Sequence, residues 1–442
     1  MKSWKLLLRF MTVGGMVMLL LIPLMMINGT VKERTHYRDQ AVARVSQSTA
    51  GAQQLLGPLR VMPYQQTRLV RDKDDAGQPR EREEIEHGYL FQTPKNMQVD
   101  GKLTPSTRRV GLFDVPIYQW QARLAADYAP LALPAVSGRT YARPYLVVGL
   151  SDVRGLLGTP VLRSGEQLLE LQAGSADMSG YMKGVHALLP AVDGNNAVTT
   201  ALPAVAVTMD FSLAGTQSLS VATIADNNQV SMNSSWPHPS FSGRFLPNQR
   251  ETGEAGFKAD WQVSSLASDA QTQLQELGSP DQVDSVQVSL VDPVDIYTMA
   301  DRASKYGILF VVLTFVGFAL FELLKRLPIH PLQYLLVGLA LAIFFLLLLS
   351  LSEHMPFLAA YLTAAAACIG LQFVYLSGVL RSGWRAAGFA GMLTLLYGML
   401  YGLLISEDNA LLMGSLMLFG ILAGIMWITR KVNWYELGSQ LR

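Results

Sequence analysis

Six apolar runs, one at the start and five crowded into the final third, decide what this 442-residue chain can fold into. The first, FMTVGGMVMLLLIPLMMI (10–27), follows the basic head MKSWKLLLR, and the others fall at about 306–324, 331–351, 356–380, 384–405 and 409–428. Each is long enough to cross a hydrocarbon core of about 30 Å as a helix, which satisfies its backbone polar groups within the segment. The first run is long for a cleaved signal, and no small-x-small site follows it directly, so it reads as a retained anchor.

Lys and Arg collect on the cytoplasmic side of short flanks. Lys2, Lys5 and Arg9 place the N-terminus inside. Lys325 and Arg326 mark the connection between spans 2 and 3, Arg381 and Arg385 that between 4 and 5, and Arg430 and Lys431 the exit of span 6. The opposite connections, LSEHMP and ISEDN, are acidic without Lys or Arg. All flanks agree on cytoplasmic termini, with the long segment between spans 1 and 2 outside. Spans 3–4 and 5–6 are similar hairpins with Ser352-Glu353 and Ser406-Glu407 at their outer tips. They share direction, whereas inverted repeats are the stronger sign of a transporter.

Residues 28–305 are more polar and rich in Gly, Pro, Ser and Thr. In AVAVTMDFSL, Val205, Val207, Met209, Phe211 and Leu213 alternate with Ala206, Thr208, Asp210 and Ser212; SLSVATIA and QVSMNSSW follow after short breaks. Alternation sends successive side chains to opposite faces, so these segments are expected as three strands of an antiparallel meander. FKADWQV (257–263), RPYLVVGLSDV and VDSVQVSLVDP supply further strands, and the domain is expected to be sandwich-like. The end segments TVKERTHYRDQAVARVSQST and DPVDIYTMADRASKYG have helical character. RDKDDAGQPRERE (71–83) is dense in charge and turn formers, as at a hairpin tip. The expected fold class is an α+β membrane protein, a six-helix transmembrane part with a large β-rich domain between spans 1 and 2. Its boundaries are 1–27 for the head and anchor, 28–305 for the β-rich domain, 306–428 for a five-helix bundle and 429–442 for a cytoplasmic tail.

Half of the residues are hydrophobic and the net charge is +1, with no basic run interleaved with aromatics, so nothing points to nucleic acid. The single cysteine, Cys368, excludes an intramolecular disulfide and a Cys-based zinc site, and sits in AAAACIGLQFVYL as a small hydrophobe. His36, His87 and His186 are far apart without paired ligands at zinc spacings, so no metal is expected. HExxH, GxSxG, the P-loop and a strand–helix GxGxxG are missing, and no catalytic residue or cofactor is assigned. No Asp, Glu, Lys, Arg or His lies near the middle of a span, which argues against ion-coupled transport.

Two runs stand out. SMNSSWPHPSFSGRFLP (231–247) places His238 between two prolines, with Trp236 before it and Phe241 and Phe245 after. Proline cannot donate to a strand ladder, so Pro237 and Pro239 end a strand and bend the chain. The run reads either as a rigid corner with aromatic packing or as a rigid mount presenting Trp236, His238, Phe241 and Arg244 for recognition. At the outer hairpin tips, Glu353, His354, Glu407 and Asp408 are either ordinary polar turn residues or the lining of a vestibule made by Glu353, His354 and Glu407. Ser352, Glu353 and His354 are triad types, but consecutive positions do not face one another.

SSWPHPSFSGRFLP, DRASKYGILFVVLTFVGFALFE, HPLQYLLVGLALAIFFLLLLSLSEHMPF and QSTAGAQQLLGPLRVMPY (47–64) resemble the inner-membrane protein CreD family of Gram-negative bacteria. The resemblance runs from span 1 to the C-terminus. It implies an inner-membrane protein with a large periplasmic domain, in a family associated with a two-component system, envelope integrity and colicin tolerance, and with no established reaction, ligand or catalytic residue. Trp236, Pro237, His238, Pro239, Phe241, Glu353 and His354 occupy motif positions without assigned roles; Ala50 and Ala52 depart from the Ser-Gly-Pro expected around Gly51. The expected function is a non-enzymatic envelope protein, embedded in the lipid bilayer, whose periplasmic domain binds an unidentified periplasmic or inner-membrane protein. In the alternative, spans 2–6 enclose a path for transport or lipid handling, with the periplasmic domain as a gate. The oligomeric state is left open.

Overall fold

The computed structural model describes residues 3–73, 79–190, 201–276, 280–290, 296–325, 330–406 and 410–430. The chain forms two compact units, Asp39–Pro293 and Met1–Arg38 with Val294–Arg442. The described helices are α1 (Ser3–Ser48), α2 (Ala270–Gln275), α3 (Ile296–Lys325), α4 (Pro331–Ser352), α5 (Phe357–Val379), α6 (Gly383–Ile405) and α7 (Ala410–Thr429).

The unit Asp39–Pro293 is a sandwich of two mixed sheets. One has eight strands centred on the hairpin of Asn96–Val110 and Phe113–Tyr128; Val205–Thr216 flanks it on one side, and Asn227–Ser234 followed by Gly256–Ser264 on the other. The second is built around Gln53–Lys73. The first half of that strand pairs in parallel with Ser218–Ala222 and antiparallel with Tyr145–Leu150, and the second half pairs with Pro79–Gln92. Strand periodicity turns every second side chain into the gap between sheets. Val99, Trp120, Leu124 and Met209 from one sheet meet Leu55, Val148, Leu219 and Val288 from the other in a single buried cluster.

The alternating segments adopt the expected faces: Val207, Met209, Phe211, Leu213, Val230, Met232, Phe257, Ala259, Trp261 and Val263 are all buried. The expected meander does not form. Val205–Thr216 and Asn227–Ser234 lie in the eight-stranded sheet, Ser218–Ala222 between them lies in the other, and none of the three pairs with another. The residue between the first two strands, Gln217, takes φ 64°, a left-handed kink that turns the chain across the core instead of back along its own sheet. An alternating strand buries its apolar face equally well from either sheet, so its pattern carries no record of its partner. The charge-dense run 71–83 falls where Gln53–Lys73 and Pro79–Gln92 pair as a hairpin out to Lys73 opposite Pro79; positions 74–78 lie outside the described residues.

A buried cation ties the two sheets together. Arg60 is 2% exposed. Its Nε donates to Gln92 Oε1 (2.8 Å), Nη1 to Pro203 O (2.7 Å) and Nη2 to Ala129 O (2.9 Å), and the guanidinium lies 5.3 Å from the centre of the Tyr128 ring. Burial pulls its pKa down, yet an arginine stays charged in proteins, so these neutral acceptors must stand in for water.

In the other unit, five helices among the described residues are long and apolar enough to cross a membrane: α1 from Gly14, and α3 to α6; α7 is a further apolar helix. Helix α3 packs on α4 and α6, α4 on α5, and α5 on α6, which closes a four-helix ring. The core of this unit includes Leu20, Leu24 and Ile27 of α1. Gly338 of α4 allows the close approach of α1, because a Cβ there would strike the Leu20 side chain and lie 3.0 Å from Phe315. The buried Cys368 of α5 accepts from Tyr397 OH of α6 at 3.1 Å and reaches Ala340 O of α4 at 3.2 Å, so it does more than fill space.

Two outcomes follow for the β-rich unit. A Cβ at Gly101 would run into the indole nitrogen of fully buried Trp120 and lie 2.9 Å from Ala122 Cβ. Gly101→Ala is therefore expected to cost about 1–3 kcal/mol, read as a lower thermal midpoint of the purified protein. Asp152 accepts from Arg154 N (3.1 Å) and from its guanidinium, while Arg154 Nη1 donates to Gln47 O (2.6 Å) in the last turn of α1. The hydrogen bond from Arg154 holds the Asp152 carboxyl below its usual range. A depressed carboxylate stabilises the fold above its unfolded pKa of about 3.9, and that contribution is lost as pH falls through the folded value. Asp152→Asn should thus be less stable than the parent at neutral pH, with the gap closing below about pH 4 in pH-dependent melts.

Candidate functional site

The WPHPSF run joins the two sheets. The strand Asn227–Ser234 ends at Ser234, whose Oγ accepts from Trp236 N at 3.1 Å. The Trp236 indole folds back, Nε1 donating to His238 O at 3.0 Å, so the prolines and one side-chain bond together set the bend. The chain resumes as Pro239–Gly243, an edge strand of the other sheet paired with Ser285–Leu290. Phe241 stands edge-on to Phe257 (5.6 Å) and Trp261 (5.8 Å), and Trp261 Nε1 donates to Phe245 O at 3.2 Å. Trp236, Phe241 and Phe245 pack on the sandwich core, while His238 and Arg244 are exposed. The four recognition candidates thus divide into two packed aromatics and two solvent-facing polar residues. The Arg244 backbone N–H is already bonded to Ser285 O at 2.9 Å, which leaves its side chain as the part on offer.

At the C-terminal end of α4, Glu353 is the C-cap, and its side chain is only 6% exposed. Arg34 Nε of α1 lies 3.5 Å from Glu353 Oε1, and Tyr297 OH of α3 donates to the same oxygen at 3.3 Å. The carboxylate therefore gathers three helices. Sequence reasoning selected Glu353 but not Arg34 or Tyr297; neither carries a spacing that links it to residue 353. His354 is exposed with Nδ1 3.1 Å from Ser350 O, and Ser352 Oγ donates to Leu349 O at 2.9 Å. These two side chains bond their own helix, not each other. Glu407 and Asp408 lie outside the described residues. Among the described residues no group of three or more His, Cys, Asp or Glu could hold a metal ion.

The eight-stranded sheet also carries an open groove of about 400 Å³ on its solvent face, with Gln98, Asp100, Gln229 and Asp260 among its lining residues.

Removing Arg34 would leave the Glu353 carboxylate nearly buried without its cation. Arg34→Gln is expected to cost about 1–3 kcal/mol, less than breaking a fully buried pair because Arg34 itself is 39% exposed. Adding Glu353→Gln to Arg34→Gln should recover part of that loss, so the double variant melts above the sum of the single effects in detergent. Strict additivity would show that the pair is not coupled.

The family profile described as "Inner membrane protein CreD" matches residues 5–435. The chain is 36% identical over 425 residues to the Inner membrane protein CreD of Escherichia coli (strain K12), an alignment covering 95% of this chain and 92% of that protein. With several membrane-crossing helices beside a large β-rich unit, the chain belongs to the CreD family of inner membrane proteins.

Proposed function

We propose that this chain is a non-enzymatic, membrane-anchored binding protein. Six helices with cytoplasmic termini hold it in the inner membrane, and the β-sandwich stands in the periplasm, where it engages a partner in support of envelope integrity and colicin tolerance. The observation that supports binding over transport is the filled interior of the α3–α6 ring. Tyr397 lies 4.8 Å from Phe310 and 4.6 Å from Phe344, and Phe318 lies 5.3 Å from Phe389. A cavity beside them, lined by Tyr306, Phe310, Leu396 and Leu400 among others, has a volume of about 10 Å³, at the lower limit for one water. A polar substrate path through that aromatic packing would need both space and hydrogen-bonding groups.

A second reading, lipid handling, draws on an apolar groove of about 800 Å³ between α6 and α7, lined by Gly391, Gly398, Gly402, Met413 and Met417 among others. It opens to the flank and is not enclosed by the ring. A stoichiometric lipid that copurifies with the wild type and is lost in Gly398→Leu would favour this reading.

The binding reading is tested by a photocrosslinking residue at position 238 or 244 in living cells, with the exposed position 266 as control. One envelope protein captured reproducibly from 238 or 244 and not from 266 is the expected result. The same bulk abundant proteins from all three positions would sink it.

A further inference from the structure

The solvent face of the eight-stranded sheet holds an array of side chains matched across three neighbouring strands. Gln98, Gln229 and Gln262 stand in register as one row. Two residues along each strand, Asp100, Ser231 and Asp260 form the next row. Lys102, Asn233 and Lys258 form a third. Among the described residues, no side chain of these rows has a hydrogen-bond or ion-pair partner inside the protein. The first two rows floor the 400 Å³ groove, and Asn248 and Gln249 line it as well. Asn248 is held in place, its Oδ1 accepting from Gln262 N at 2.6 Å. On the reverse of the same strands, Val99, Val230 and Trp261 are buried in the core, so the floor is braced from behind.

The chemistry of the rows narrows the ligand. Asp100 and Asp260 are the charged residues that line the groove, and each has a lysine two residues away on its own strand, about 7 Å along the pleat. A net anion is therefore not selected. Asp100 and Asp260 lie on strands separated by a third, about 10 Å apart, too far to share one metal ion. The apolar residues of the floor, Val99, Val230 and Trp261, face the core and not the groove, so it offers no seat for an apolar group. What the groove offers is a dense set of uncommitted carboxamide, hydroxyl and carboxylate groups. A carboxamide presents donors and acceptors in one plane, and a carboxylate accepts at two oxygens, a combination that meets neighbouring hydroxyl groups.

We propose that this array is a carbohydrate-binding face that takes a neutral, hydroxyl-rich sugar chain across the three strands. The assignment rests on the binding-protein reading and names the ligand class for its β-sandwich. Because no aromatic ring lies open in the groove, binding is driven by hydrogen bonds. It is therefore exothermic, modest in affinity and insensitive to salt, as screening acts only on charged ligands.

The test uses the full chain in a detergent without a sugar head group, titrated in a calorimeter with uncharged α- and β-linked glucose hexasaccharides. A parallel arm places the protein with vesicles containing a glucosyl diacylglycerol, which separates a free glycan from a lipid head group as the source of the sugar. The expected result is saturable, exothermic binding in at least one arm, unchanged from low to high salt. The Gln98→Ala/Gln229→Ala double variant should bind about tenfold more weakly with an unaltered thermal midpoint. Absence of saturable heat in both arms, heat that salt abolishes, or a double variant that binds like the parent would each overturn the proposal. If the glycan arms fail while positions 238 or 244 still capture one specific protein, only the carbohydrate assignment falls. If both fail, the binding-protein reading falls with it.

Discussion

Two sheets whose facing sides are apolar remove those sides from water by lying against one another, and the sandwich follows from that; the nine-stranded sheet also buries Leu59, Val61, Tyr145 and Val147 on its other side. Leu55, Val148 and Leu219 are covered by the opposing layer of Val99, Trp120 and Met209. The requirement also explains why the chain keeps changing sheets. Gln217 carries it across in one residue, and the WPHPS run carries it across again between Ser234 and Pro239. Each crossing interleaves the sheets in sequence and locks them together. Arg60 adds a polar tie on the same principle, its guanidinium bridging the 53–73 hairpin to carbonyls that follow or precede strands of the other sheet.

The membrane unit meets a different constraint. Lipid gives apolar helices no reason to associate, so packing and a few polar contacts must do it. Aromatic rings supply the packing, Tyr397 against Phe310 and Phe344, and Phe318 against Phe389. Glu353 supplies the polar contact at the C-terminal end of α4, held by Arg34 and Tyr297 from two other helices. Tyr334 donating to Glu322 at 2.7 Å does the same for α3 and α4 at the opposite end. Ionisable groups thus sit at the ends of the helices, where they join neighbours and leave the middle apolar. That distribution accords with the anchor proposed above.

The WPHPSF run and the face proposed for binding are separate parts of the sandwich. WPHPSF has a structural reason for its prolines and aromatics, since it must turn from one sheet into the other while sealing the core edge. The polar array has no such structural reason, since among the described residues the side chains of Gln98, Gln229 and Gln262 make no bond within the protein.

By itself the sequence determined the two-part organisation, the apolar helices and the buried face of each strand, because hydropathy and period-two alternation are local properties of the chain. It also singled out WPHPSF and Glu353, the first through proline chemistry and the second through a carboxylate at the end of an apolar helix. Only the tertiary structure decided which strands pair, since Val205–Thr216 and Ser218–Ala222 satisfy their pattern in either sheet. It alone brought Arg34 and Tyr297 to Glu353, and aligned Gln98 with Gln229 and Gln262 from distant stretches of chain. The physical reason is common to all three: a side chain's own pattern shows which way it faces, while its partner is chosen by contacts between segments that the sequence keeps far apart.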